Sequence, residues 1–451
     1  MKFLIENQDH LVLKDRYIKR RKTFLKHCEG LTLIWGLKEN PEQLLCWDTS
    51  PRKWVQPPLM CHLLGINQLD THLVFNPFSE EKQVLFLPRF NEKNAFWEGE
   101  RLSFYNTSQA ATLAKSCFVD AIYPSDRLSN YMINALKEAP IKQLHVQSYS
   151  PLDSQKKKIH EDHFDQQNKK LKLDLEEKAC MPTFLSIQNL EWAQRLPFDE
   201  LDIKLMTEIQ NKTKHAFIKT IKSLKSCPNE NHVQAILNGE LQQSSPLGSS
   251  FPSIIAGGKN AKVLHYHDNN QMLQQGNLLL LDFGLRQGDL VSDISRTIPV
   301  SGKFSILQSI LYQVVLDTQK YVESLVKAGV LLTELNHACW QHLNQHLFRA
   351  SREHGFSFSL PYKEAPHQVS HLIKTQVHDG DTWRDYAKRP LRAFECISNE
   401  PGLYGDFEFH GETFEMGIRI EDNLLVSADG CVNLSTEIPK EICEIEALFH
   451  N

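Results

Sequence analysis

The stretch NLLLLDFGLRQGDLVSDISRTIPV (277–300) constrains the fold more than any other part of this 451-residue chain. Two apolar runs flank a short polar break, which reads as a β-hairpin. With Gln287-Gly288 as a two-residue loop, Asp282 is expected directly opposite Asp293. Directly opposed Cβ atoms lie roughly 4.5–5.5 Å apart. Two carboxylates that close repel unless cations lie between them, and a metal pair about 3.5–4 Å apart would fit. Each aspartate sits among apolar neighbours, which argues against a solvent-facing role. Taken alone, the segment also admits two unrelated turn or edge aspartates.

Three further segments add metal-binding side chains. PHQVSHLIKTQVHD (366–379) carries His367, His371 and His378. The first two have the HxxxH spacing of a zinc-protease helix, but Gln368 stands where that motif needs its general-base glutamate. One metal ligand plus two hydrogen-bonding or acid–base histidines is the better reading. Glu400 precedes Pro401-Gly402, and Glu421 lies in GIRIED with Arg419 two residues earlier, on the same face of an expected strand. A buried strand carboxylate needs a partner; an Arg419–Glu421 ion pair is the simpler alternative to a metal. Together Asp282, Asp293, His371, Glu400 and Glu421 are oxygen-rich with a single nitrogen. That set suits two hard or borderline divalent cations rather than one structural zinc. Phosphate-loop, dinucleotide-binding and nucleophile-elbow motifs are missing from the sequence.

Composition narrows the class. Hydrophobic residues make up 41 % and charged residues 23 %, an ordinary globular balance. A net charge of −5 argues against a nucleic-acid binder. The ten cysteines include no C-x-x-C pair and fit reduced thiols in the cytoplasm. MKFLIENQDHLVLKD lacks the apolar core of a signal peptide, and no apolar run approaches a membrane span.

Along the chain, LTLIWGL (31–37), THLVFNP (71–77) and KQVLFLP (82–88) read as strands, with amphipathic helices at 16–28 and 128–138. This is an α/β domain. The polar stretch 154–178 is expected to be a solvated helix or an insertion closing that domain. Long amphipathic helices are expected at 199–226, 305–327 and 333–348. Strands are expected at 263–267, 277–285, 289–300, 393–398 and 417–427. The fold expected is α+β, with an N-terminal α/β domain over 1–185 and a catalytic domain over 186–451.

In order and context these segments resemble the Xaa-Pro peptidases of the pita-bread metallopeptidase superfamily, most closely aminopeptidase P. FPSIIAGGKNAKVLHY (251–266) is similar to the segment carrying a substrate-binding histidine, here His265. LLLLDFG and SDISRT match its metal aspartates, and HQVSH with His378-Asp379 its triple-histidine segment. EPGLY and GIRIED supply Glu400, Tyr404, Arg419 and Glu421. NLSTEIPKEICEIEAL (433–448) resembles the end of these enzymes, and FWEGER (96–101) the W-x-G-x-R of their N-terminal domain. Between the second and third histidines the family usually carries Gly, then Leu or Ile, then Asp; here Lys374, Thr375 and Gln376 stand there.

The resemblance implies an aminopeptidase that releases the residue before a penultimate proline. It implies two metal ions, manganese first, with cobalt or zinc as substitutes. Asp282 would chelate one, His371 and Glu400 the other, and Asp293 and Glu421 would bridge. Glu400 would move a proton and His378 would stabilise the developing oxyanion. His265, His367, Tyr404 and Arg419 would line the proline side. A homodimer or homotetramer is implied, with neither membrane nor nucleic acid as partner. An Xaa-Pro dipeptidase is the neighbouring alternative, and a non-catalytic binding protein on the same fold a more distant one.

Overall fold

The computed structural model describes residues 10–38, 56–148, 163–380 and 385–450. The chain separates into two compact units, Met1–Arg195 and Leu196–Asn451.

In the first unit the short apolar runs assemble into one mixed sheet. Its strands are β1 (Leu31–Ile34), β2 (His72–Phe75), β3 (Gln83–Leu87), β4 (Ala121–Pro124), β5 (Gln143–Val146) and β6 (Thr183–Ser186), in the order β4-β3-β2-β1-β5-β6. The β1–β5, β3–β4 and β5–β6 pairs are parallel, so both faces must be covered. Successive side chains alternate accordingly: Ile34, Leu73, Phe75, Leu85 and Leu87 enter one core, while Leu31, Leu33, Val74, Val84 and Phe86 enter another. The described part of 154–178 corrects the expectation of a solvated segment. It forms the helix His163–Glu176, and its Phe164, Leu171 and Leu175 are buried in the second core. These three lie on one narrow helical stripe with Asn168, which accepts a 2.7 Å hydrogen bond from Trp35 Nε1. A stripe that thin is hidden when polar residues surround it in sequence.

The second unit opens with the helix Glu200–Ser223, started by a reciprocal capping box between Asp199 and Asp202. Phe217 on its buried stripe stacks on Phe283 at 5.6 Å. Helices Ile306–Leu325 and Leu332–His354 pack against each other. The strands are β7 (Ile254–Gly257), β8 (Leu278–Phe283), β9 (Arg286–Gln287), β10 (Leu290–Val291), β11 (Ile294–Pro299), β12 (Ser357–Ser359), β13 (Cys396–Asn399), β14 (Gly402–Phe409), β15 (Glu412–Arg419), β16 (Asp422–Val426) and β17 (Cys431–Asn433). They make the small sheets β11-β8-β7, β12-β14-β15 and β13-β16-β17, plus the β9–β10 ribbon.

Three expectations are corrected here. The hairpin turns on Gly288-Asp289, because Gln287 pairs with Leu290. Gly288 has φ +62°, and Asp289 is not in the left-handed region. That is the glycine-first pattern of a type II′ turn. Asp282 therefore faces Ser295, and Asp293 lies one diagonal step away. A slip of one residue would have turned one aspartate to the opposite face; this slip of two keeps both on the same face. Next, 263–267 is not a strand. A 3₁₀ turn spans Gly258–Lys262 and lies so close to β15 that a Cβ at Gly417 would meet the Ala261 carbonyl oxygen at 2.1 Å. Finally, 417–427 is not one strand. It breaks between Arg419 and Asp422, and the halves join different sheets.

Arg296 closes this break. Fully buried, it donates to Asp422 Oδ1 at 2.7 Å and to the carbonyls of Ser295, Glu421, Ile438 and Pro439 at 2.6–3.0 Å. Removing it takes the donor from four main-chain carbonyls, while Asp422 keeps Lys440 and Asn433 as partners. Arg296→Met is expected to destabilise the unit by about 3 kcal/mol. Denaturant unfolding measures it, and an unchanged midpoint would refute this role.

Candidate metal centre

The five predicted ligands come from the ends of β8, β11, β13 and β15 and from the loop before β13, and all are buried or nearly so. Asp293, His371 and Glu421 converge most tightly: one ligand atom from each lies within 4.8 Å of the others. His371 Nε2 is 3.0 Å from Glu400 Oε1, 3.7 Å from Asp293 Oδ2 and 3.8 Å from Glu421 Oε1. Asp282 joins from the β8 side through Arg419, whose Nη2 donates to its Oδ2 at 2.6 Å.

Arg419 thus pairs with Asp282, not with Glu421 as the simpler sequence reading allowed. Its Nε donates to Ser295 Oγ at 2.9 Å, and that hydroxyl donates to Glu421 Oε2 at 3.0 Å. Its Nη1 donates to Tyr404 Oη at 3.1 Å. Tyr404 Oη lies 3.1 Å from His367 Nε2, and His367 Nδ1 lies 2.9 Å from the Gln368 carbonyl. A carbonyl can only accept, so Nδ1 carries the proton and Nε2 accepts from the tyrosine. One chain of hydrogen bonds therefore runs from Asp282 through Arg419 and Tyr404 to His367.

Sequence reasoning missed two serines as site residues. Ser295 ties Arg419 to Glu421. Ser398 Oγ accepts from the His371 N–H at 2.9 Å and donates to Glu400 Oε1 at 3.3 Å. Both stand inside apolar strand runs, the only signal available for them. His378 is exposed and lies tilted at 37° against the His371 ring, with ring centres 4.2 Å apart. His265 is exposed and close enough for its charge to act on His378.

The electrostatics are those of crowded acids. Burial, then the charge of Asp282, pushes Asp293 well above the carboxylate range. Burial, then Asp293, does the same to Glu421. Burial alone would raise Glu400 and lower His371; their mutual hydrogen bond and charge outweigh it and move them to about 2 and about 9. The His371 charge, then burial, brings His378 down to about 4. Burial lowers His367 as well, in keeping with its neutral tautomer.

These residues fit divalent cations. Asp282 Oδ1 and Glu421 Oε1 are buried with no hydrogen-bond partner among the described residues, a costly arrangement unless something positive meets them. Carboxylates with one imidazole are the donors that hard or borderline cations take.

Residues 204–428 match the metallopeptidase family M24, and residues 17–145 match the aminopeptidase P N-terminal domain. Xaa-Pro aminopeptidase 3 of Mus musculus is 30 % identical over 401 residues, covering 86 % of this chain and 75 % of the mouse protein. The chain belongs to metallopeptidase family M24. The mitochondrial intermediate cleaving peptidase 55 of Arabidopsis thaliana is 28 % identical, over 97 % of this chain and 83 % of its own. The solved aminopeptidase PepP of Pseudomonas aeruginosa superimposes with a TM-score of 0.79 at 22 % identity, over 97 % of this chain and 98 % of that one. The expected architecture, a pita-bread catalytic domain after a smaller N-terminal domain, is the observed one. This M24 chain is thus a peptidase-family hydrolase by descent.

Proposed function

We propose that the protein is a metal-dependent Xaa-Pro aminopeptidase, releasing the first residue of peptides whose second residue is proline. The observation that carries this reading is the convergence of Asp293, His371 and Glu421, with Glu400 and Asp282 beside them, next to the Arg419–Tyr404–His367 chain. The names of its relatives, Xaa-Pro aminopeptidases among them, point the same way.

Asp282, Asp293, His371, Glu400 and Glu421 would hold two divalent cations, manganese by donor hardness, with cobalt or zinc as substitutes. When bound, such cations supply Lewis acidity, which makes water nucleophilic near neutral pH and draws charge from the scissile carbonyl. Glu400, kept ionised by His371, accepts the proton released as water attacks and passes it to the leaving proline nitrogen. His378 donates to the developing oxyanion. His367, Tyr404 and Arg419 form a wall of fixed orientation, and His265 closes it from the exposed side. The amide before proline has no N–H, so a wall that accepts a rigid ring and asks for no donor there selects it.

A homo-oligomer in the cytoplasm completes the proposal. No disulfide joins cysteines among the described residues, which supports a reducing compartment. No described helix is long and apolar enough to cross a membrane.

Xaa-Pro-Xaa tripeptides and longer peptides are expected to be cleaved with Mn²⁺, with activity falling to background under chelator and returning on readdition. Cleavage confined to Xaa-Pro dipeptides would replace this reading with the dipeptidase. A folded, metal-free protein inactive with added Mn²⁺ would favour a binding role.

A further inference from the structure

The histidine loop departs from its family at Lys374, and the structure gives that residue a place. The backbone there has no left-handed φ, so glycine is not required. The side chain is 1 % exposed. Its Nζ donates to Asp202 Oδ2 at 2.9 Å and to the Pro197 carbonyl at 2.7 Å, and it lies 4.8 Å from the Phe198 ring centre. Asp202 is itself fully buried. It is the third residue of the helix Glu200–Ser223, where it also accepts the Asp199 N–H at 3.1 Å in the capping box.

Lys374 stands three residues after His371 and four before His378. The main chain between them is tied on the other side. The Val291 N–H donates to the Lys374 carbonyl at 2.9 Å, and Arg286 Nη1 to the Thr375 carbonyl at 2.9 Å. Asp379 Oδ2 gathers the N–H groups of Thr375 and Gln376 at 2.8 and 3.3 Å, while its own N–H reaches the Leu372 carbonyl at 2.8 Å. A glycine would keep all of these main-chain bonds. The lysine adds a link to the helix start. Burying both charges is expensive, and one well-attested return for such a pair is a single fixed register.

We propose that Lys374 is a positioning residue for His378, acting through its buried ion pair with Asp202. The pair braces the loop between the β9–β10 ribbon and the helix, and so fixes the ring that faces the reacting carbonyl. This rests on the peptidase reading above. An oxyanion donor misplaced by a fraction of an ångström loses much of its effect.

Lys374→Met alone would take the lysine cation from buried Asp202, so the test uses Lys374→Met with Asp202→Asn. Asparagine keeps an acceptor for the Asp199 N–H, and both charges of the pair are removed together. The double variant is expected to keep its fold and metal content. Its kcat should fall by about tenfold, with KM changed by less than about twofold. In a His378→Ala background the same pair of changes should cost nothing further. The His378 ring resonances, assigned by comparison with His378→Ala in histidine-labelled protein, should shift. Unchanged kcat, an equal loss without His378, or unmoved His378 resonances would each overturn the proposal. If the parent protein cleaves no Xaa-Pro peptide, the peptidase reading fails by that result, and the resonances still decide whether Lys374 places the ring.

Discussion

Asp293→Asn is expected to lower kcat/KM for an Xaa-Pro-Xaa peptide by a factor of at least about 10³, the scale of losing metal-assisted charge stabilisation. Asp293 belongs to the tightest group of potential ligand atoms, shared with His371 and Glu421. Asparagine has the same shape but a poorer donor set. The backbone there is held independently: its N–H donates to Asn423 Oδ1 at 3.2 Å, and its carbonyl accepts from Asn423 Nδ2 at 2.6 Å. The variant should therefore fold. Removing one of several crowded acids should make chelator-treated protein no less stable than the parent. Metal content after dialysis, measured beside the kinetics, should fall. A variant with full activity and full metal loading would show that Asp293 is not a ligand.

Chelator-treated protein is expected to lose stability as pH rises from about 6.5 to 9, and the stabilisation by added Mn²⁺ should grow across that window. The sign follows from the shifts. His371 is raised from 6.5 to about 9 by Glu400, after burial has worked the other way. Its contribution is complete below 6.5 and is lost as pH passes about 9, roughly 3 kcal/mol in all. Asp293 and Glu421, raised well above their ordinary values by burial and by neighbouring acids, act in the same direction. Glu400, lowered to about 2, contributes above 4.5 and loses its effect only in strong acid, outside the window. A cation must displace the protons that these groups hold, so its binding strengthens as they become easier to remove. Melting temperatures at several pH values, with and without Mn²⁺, would measure this. A Mn²⁺-induced shift that shrinks from pH 6.5 to 9 would contradict the assignment.

Much of the site was legible in the chain because its donors are chemically unusual where they stand. Carboxylates inside apolar strand runs at 282, 293, 400 and 421 need an explanation that a surface acid does not. Gln368 in the HxxxH spacing ruled out a zincin without a structure. The parity of the hairpin was legible too, since side chains alternate every residue and a slip of two leaves Asp282 and Asp293 on one face. The turn that sets the register was misread. Gln287-Gly288 has glycine in the place a type I′ loop favours, whereas the chain uses glycine first, with Asp289 after it.

What local sequence determined is therefore the kind of chemistry: strands that carry acids inward, a histidine segment, and helices with one apolar stripe each. Those follow from period and residue type, which are properties of neighbours. Only the tertiary structure decided who meets whom. Arg419 could have answered Glu421 two residues away; the interruption of the strand between β15 and β16 sends it to Asp282, 137 positions distant, and leaves Glu421 to Ser295. Lys374 finds Asp202 across 172 positions. Charges pair with whatever the packed backbone brings within about 3 Å, and in a buried site the cost of an unmet charge makes that pairing decisive.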